Sequence, residues 1–319
     1  MAAQIQPLFL DDAALRGLGL TQAEIVDAVE TALADEAAGT AWTTPKSVIT
    51  PGDGRYLMST LSLANTPGLS VVKFVQVSPD NPDRGLPTIN GTIMVHDGQT
   101  GLLRAVLDAN WITAVRTAGL SGVAARRLAN PRSRAIAFIG AGVQAQSHLD
   151  CFAALFPIDE IRIHGRGQAN IDRLAAKARD MGIRPLVAEG PKQALTGADI
   201  VVTSITLTSS AEPFLDARWL KPGAFATVTD AGVPWIDTAL PGFSSIIVDD
   251  VEQENSSPKR MAPKELVTGE LKQLVAQPDL ARFDPDRRTA FMFRGLAIGD
   301  FAVSALAYQR ATDLRKGQK

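Results

Sequence analysis

The chain has 319 residues, more than an average single domain holds, and room for two cores. Its 32 basic and 34 acidic residues leave a net charge of −2, so no polyanion-binding surface and no nucleic-acid partner is expected. The single cysteine excludes an internal disulfide framework. With no run of about 18 apolar residues and no basic, then apolar N-terminal leader, the expectation is a soluble, cytoplasmic chain without a membrane partner.

In chain order, residues 21–38 read as an amphipathic helix, capped by Thr21 with Glu24 three positions on and closed by Gly39. Short β-like runs follow at 47–50, 55–61, 69–77 and 88–97, with Asp97-Gly98 as a hairpin signal. This part reads as antiparallel α+β. Lys73 stands inside SVVKFVQV among valines and Phe74, where a cation needs a partner. It is either a ligand for a substrate carboxylate or a paired structural cation. Lys46, after Thr44-Pro45, is another cation, read equally as a solvated loop residue or a site residue. A helical pattern spans 108–129 and carries Arg116 among small residues that leave room for a ligand. Its guanidinium either grips a planar carboxylate with two hydrogen bonds or lies on a helix surface.

The next segment carries the most specific signal. IAFIGAGVQAQ is an apolar strand running into Gly140-Ala141-Gly142-Val143-Gln144-Ala145, read as the turn that seats a dinucleotide pyrophosphate on a helix N-terminus, with an ordinary glycine-rich turn of an α/β domain as the alternative. Gly140 permits the tight turn, Gly142 admits the phosphates, and small Ala145 allows close helix–strand packing. Strands at 135–139, 160–164, 199–204, 224–228 and 244–248, with helices at 144–155 and 168–181, imply the parallel sheet of an α/β Rossmann dinucleotide-binding domain. Leu149, Phe152, Ala153 and Leu155 point its first helix at a core. Residues 251–290 read as polar with helical pieces, and 290–310 as an apolar helix-forming segment that returns to the N-terminal part. The expected division is therefore 118–289 for the nucleotide domain, and 1–117 with 290–319 for a discontinuous α+β substrate and dimerisation domain.

The second strand of this unit ends IRIHGRGQ, with Arg166 where NAD-binding enzymes usually carry an acid for the ribose hydroxyls. A carboxylate there would repel a 2′-phosphate, whereas Arg166 would bind it. NADP(H) is therefore expected over NAD(H), although Arg166 could instead stack on adenine. Asp230 lies just past strand 224–228, where open α/β sheets place ligands, and reads equally as a turn residue before Gly232. Cys151 reads as a small core residue, and His148 as helix surface or core. His96, His148 and His164 lack metal-ligand spacing, so no metal is expected.

Taken together and in this order, VVKFV, GLPTINGTIMVHDGQTG, ITAVRTAGLSGVAARRLA, FIGAGVQAQ, IVVTSIT, the Asp230 turn and FMFRGLAIGDFAVSALAY resemble the ornithine cyclodeaminase/μ-crystallin family. The resemblance implies a homodimer whose N- and C-terminal segments form one α+β domain. It implies that Lys73 and Arg116, with Lys46 and Thr88, hold the substrate carboxylate, and that Asp230 handles the proton of the substrate nitrogen. It adds Thr203 and Ser204, at the IVVTSIT strand end, to the cofactor-binding residues. Lys46 replaces an arginine found in many relatives, so its grip is single-point. Asp-Ala-Gly-Val-Pro-Trp replaces the usual Gly-rich turn, and the acid aligns only with a shift of one or two positions. Arg55-Tyr56-Leu57 lacks the acid associated with ornithine-cyclising members.

The expected activity is reduction of a small α-imino acid, such as a cyclic ketimine, by NADPH. The alternatives are ornithine or lysine cyclodeamination with bound cofactor, and non-catalytic binding of NADPH or a small ligand. Met58, Trp111, Val233, Trp235 and Phe293 are the candidates for side-chain specificity.

Overall fold

In the computed structural model, which describes residues 6–206, 212–277 and 279–317, the chain divides into two units. One comprises Met1–Arg116 and Leu296–Lys319, the other Thr117–Gly295. The first runs through β1 (Leu8–Leu10), α1 (Asp12–Arg16), α2 (Gln22–Ala37), β2 (Ala41–Thr43), β3 (Ser47–Ile49), β4 (Tyr56–Ala64), β5 (Leu69–Val77), β6 (Ile89–Asp97) and β7 (Leu103–Asp108). The division falls inside α3 (Ala109–Leu128). The second unit holds β8 (Ala135–Ile139), α4 (Val143–Leu155), β9 (Glu160–His164), α5 (Gln168–Asp180), β10 (Arg184–Val187), α6 (Pro191–Leu195), β11 (Ile200–Thr203) and β12 (Phe225–Val228). It ends with β13 (Ser245–Val248), α7 (Val251–Ser256), β14 (Val267–Glu270), α8 (Leu271–Ala276) and β15 (Thr289–Met292), after which α9 (Ala297–Gly317) returns to the first unit.

In the described residues of the first unit the strands form one sheet in the order β1-β7-β6-β5-β4-β2, with β3 also on β4. Pairing is antiparallel except for β1, which lies parallel to β7. α2 starts as its capping pattern requires: the Thr21 hydroxyl accepts from the Glu24 N–H, and the Glu24 carboxylate accepts from the Thr21 N–H. Its buried Ile25, Val26, Val29 and Leu33 lie on a helix packed against α9, which itself packs on β4, β5 and β6. Along β5 the alternation puts Leu69, Val71, Lys73 and Val75 on the covered face.

The second unit is a parallel sheet ordered β10-β9-β8-β11-β12-β15-β13-β14. Chain order reverses between β8 and β11, so the C-terminal ends of these two strands form the switch point where such sheets take their ligands. β11, β12, β13 and β15 are buried along their whole length, as apolar strands covered on both faces must be.

Three expectations are corrected. Residues 290–310 are not one helix: Thr289–Met292 pairs parallel with both β12 and β13, and α9 begins at Ala297. The apolar segment thus divides at Gly295, not at 290, because Ala290, Phe291 and Met292 complete the second sheet. Within α4, Leu149 and Phe152 are fully buried, but Ala153 and Leu155 only partly. Five strands, β1, β2, β7, β10 and β14, had no clear sequence signal. Among the described residues no helix is long and apolar enough to cross a membrane.

Candidate active site

The turn after β8 is built as its glycines dictate. Gly140 has φ of 97°, and a Cβ there would lie 2.6 Å from the carbonyl oxygen of Ser204, so strand ends β8 and β11 approach only because the side chain is missing. Gly142 is the N-cap of α4 without a side-chain cap, leaving first-turn N–H groups unsatisfied, and a Cβ on it would meet nothing within 4 Å. This open space belongs to a cavity of about 510 Å³, whose walls include Gly140, Gly142, Gly165, Arg166, Asn170 and Ser204. The Ser204 hydroxyl is buried there without a hydrogen-bond partner among the described residues. A bare helix N-terminus, an open glycine face and an orphaned hydroxyl fit a dinucleotide pyrophosphate.

Of the residues expected to hold the cofactor, Gly140, Gly142, Arg166 and Ser204 line this cavity. Val143 is 67% exposed outside it, Gln144 is half-buried, and Ala145 is fully buried. Thr203 is fully buried with its hydroxyl donated 2.9 Å to Asp230 Oδ1, so it supports the acid and does not line the cavity. Asn170, Glu212 and Phe214, also in the walls, carried no motif.

Asp230 is 1% exposed at the strand ends. Besides Thr203, the N–H of Ile205, itself in the cavity wall, donates to its other oxygen at 3.1 Å. Burial pushes the carboxyl up to about 6, against the lowering effect of these two donors. The turn reading holds for its backbone: Ala231 and Gly232 have φ of 54° and 76°, and the Val233 N–H donates to the Asp230 carbonyl. The site reading concerns the side chain, an acid titrating near neutrality beside a ligand cavity.

In the first unit, Lys73 is fully buried with its ammonium 2.7 Å from Asp300 Oδ1 and 3.4 Å from the Thr113 hydroxyl. The same oxygen lies 3.0 Å from Nε of Arg116. That contact is a close ion pair without hydrogen-bond alignment, and Nη1 of Arg116 is buried with no hydrogen-bond partner among the described residues. Burial pushes the Lys73 ammonium down to about 8; Asp300 opposes this, while the charges of Arg116 and half-buried Lys46 add to it. Two cations around one carboxylate can accept a second anion, which Nη1 has the capacity to bind. Asp300 was missed: its signal was an acid set in the apolar run GLAIGDFAV. Thr88 stands at the entry to β6, its carbonyl accepting from the Ser78 N–H.

Other polar groups are structural. His148 is fully buried and held down at about 4; its Nδ1 donates to the Gln144 carbonyl, so Nε2 accepts from Ser121, which in turn bonds Thr227. This chain ties α3, α4 and β12 together. Cys151 is buried, its thiol pushed up to about 12 and donating to the Ala118 carbonyl, which removes nucleophilic character. Two specificity candidates are corrected. Trp235 packs edge-on to Phe243, Phe293 stacks on Phe291, and both are almost wholly buried as core side chains. Met58 and Val233 are half-buried and Trp111 is 8% exposed.

The family model described as ornithine cyclodeaminase/mu-crystallin matches residues 8–315. An alanine dehydrogenase of Archaeoglobus fulgidus is 30% identical over 308 residues, spanning 93% of this chain and 92% of its own. The ketimine reductase mu-crystallin of Mus musculus is 30% identical, spanning 74% of each chain. A solved archaeal alanine dehydrogenase dimer with bound NAD is similar with a TM-score of 0.85, at 27% identity and over 97% of both chains. The glycine turn, the buried acid at the strand ends and the paired cations thus sit on a chain that belongs to the ornithine cyclodeaminase/mu-crystallin family.

Proposed function

We propose that the chain is an NAD(P)H-dependent oxidoreductase that reduces a small α-imino acid, a cyclic ketimine such as pyrroline-2-carboxylate or piperideine-2-carboxylate, to the amino acid. The observation that carries this reading is Asp230, a buried carboxyl raised to about 6 beside the dinucleotide cavity. Reduction of C=N takes up one hydride at carbon and one proton at nitrogen. A reduced nicotinamide, when bound, supplies the hydride. Asp230 supplies the proton or stabilises the protonated imine, the better electrophile, and an acid titrating near 6 keeps part of its proton close to neutral pH. Arg116 and Lys73 hold the carboxylate, which orients the imine carbon. The mu-crystallin relative is named a ketimine reductase, and the archaeal one an alanine dehydrogenase. The test is an assay with both cofactors. Consumption of one NAD(P)H per cyclic imine supports reduction; ammonia release from ornithine or lysine without net cofactor turnover overturns it in favour of cyclodeamination.

For the cofactor, we infer a preference for NADPH. Arg166 follows β9 at the cavity wall, is exposed, and is paired with no carboxylate among the described residues. The acid in the wall, Glu212, lies beyond β11 and not at the end of β9, where the ribose acid of NAD enzymes stands. Replacing Arg166→Ala is expected to weaken NADPH binding about tenfold or more while leaving NADH nearly unchanged. Equal loss for both cofactors would assign Arg166 to adenine stacking.

For assembly, we infer a homodimer through the open face of the first sheet. Leu61, Val72, Met94, Val106 and Phe9 stand in register across β4, β5, β6, β7 and β1, with Phe74 beside them. Phe9, Leu61, Phe74 and Met94 are 74%, 46%, 44% and 39% exposed in the single chain. A contiguous apolar row of this kind marks an interface, and the archaeal relative is described as a dimer.

A further inference from the structure

We propose that Asp300 is a positioning residue of the carboxylate-binding cluster: one of its oxygens bridges Lys73 and Arg116, keeps two like charges side by side, and leaves the Nη1 edge of the guanidinium to the ligand. This rests on the reading of Lys73 and Arg116 as the substrate's carboxylate site. The geometry is specific. Nζ of Lys73 and Nε of Arg116 lie 2.7 and 3.0 Å from the same Oδ1. All three side chains are nearly inaccessible to water, so neither cation can be screened by solvent. Without the carboxylate, the ammonium would face the charges of Arg116 and Lys46 while donating to the neutral Thr113 hydroxyl, and would shed its proton or move away. Asp300 sits in the first turn of α9, where the helix dipole favours negative charge. With Asp300 in place, a deep lysine stays cationic at neutral pH and the guanidinium is fixed by one edge. A ligand carboxylate then completes the charge balance.

The test reads Lys73 directly. In protein carrying 13C-labelled lysine, the Lys73 Cε resonance, assigned by its loss in Lys73→Met, is followed against pH in the full chain and in Asp300→Asn. The wild-type midpoint is expected near 8, and the midpoint in Asp300→Asn lower by about one pH unit or more, since removing an adjacent opposite charge has effects of that size. Asp300→Glu, which keeps the charge, should hold the midpoint near its wild-type value. An Asn midpoint unchanged or higher overturns the proposal, as does a Glu midpoint that falls as far as the Asn one. If Asp300→Asn fails to fold, Asp300→Ser gives the same reading.

A second arm measures kinetics with pyrroline-2-carboxylate. Asp300→Asn should raise KM about fivefold or more at pH 8, since a midpoint one unit lower cuts the charged fraction of Lys73 there from about one half to about one eleventh, and less at pH 6, with a smaller change in kcat; a pH-independent loss confined to kcat would contradict a positioning role. Failure of the imine-reductase reading appears as absence of turnover in wild type, while the resonance still decides the role of Asp300.

Discussion

Asp230 gives the account its sharpest expectation at the level of single residues. Its folded pKa, about 6, lies above the ordinary 3.8, so the native state holds this proton more tightly than the unfolded chain. For an acid shifted upward, the cost of burial is absent below pH about 4, grows through the window between 4 and 6, and is complete above 6. Asp230→Asn should therefore raise stability at pH 7.5 by on the order of 1–3 kcal/mol and by much less at pH 4.5, while abolishing most imine reduction. Urea melts at the two pH values check this; a stability change that does not depend on pH would remove the raised acid from the mechanism. Lys73, Arg116 and Asp230 stand out in the sequence because each is a charge in an apolar or small-residue context, but that context leaves each open to a structural reading, and their site roles come from the family resemblance. Asp300 carries the same anomaly but was passed over, since its partner Lys73 is 227 positions away and nothing local shows that a lysine needs it. Thr203 was legible as a strand end, but that its hydroxyl serves Asp230 depends on which neighbour packs beside it.

Among the elements, the strand–turn–helix from β8 to α4 was readable in outline, because backbone geometry restricts the residues of the turn, whereas which residues of α4 are fully buried or line the cavity was not. Its two glycines should respond differently. Gly140→Ala sets a Cβ against the Ser204 carbonyl at a left-handed φ, and should destabilise the fold by at least about 2 kcal/mol. Gly142→Ala, with φ of −77° and free space around its Cβ, should leave stability within about 0.5 kcal/mol of wild type yet weaken cofactor binding severalfold. Thermal melts with cofactor titration separate the two, and equal destabilisation would contradict the open-cradle geometry. The strands that escaped the sequence have physical excuses. β10 and β14 are the edges of their sheet, with Pro185 in one and Gly269 in the other, and edges need neither continuous apolar runs nor full pairing. β15 reads TAFM, a short apolar run that periodicity cannot tell from a buried helical segment.

At the scale of the molecule, the sequence order of an α+β part, a nucleotide-binding part and a closing apolar segment is the order of the structure, with α9 returning to pack on α2 and the first sheet. What the residues could not declare was the open face of that sheet, since its exposed Leu61, Phe74 and Met94 alternate with buried neighbours as in any half-covered strand. Met94→Glu, at the centre of the row, should convert a dimer into monomers without disturbing the cavity after β8. Sedimentation equilibrium measures it, and an unchanged mass would move the interface elsewhere. The central claim, transfer of hydride to an imine carbon, is tested most directly with NADPH deuterated at the transferring position and pyrroline-2-carboxylate. Mass spectrometry of the product should find proline carrying one deuterium at Cα for each cofactor oxidised; proline without the label, or cofactor that stays reduced, would contradict the account.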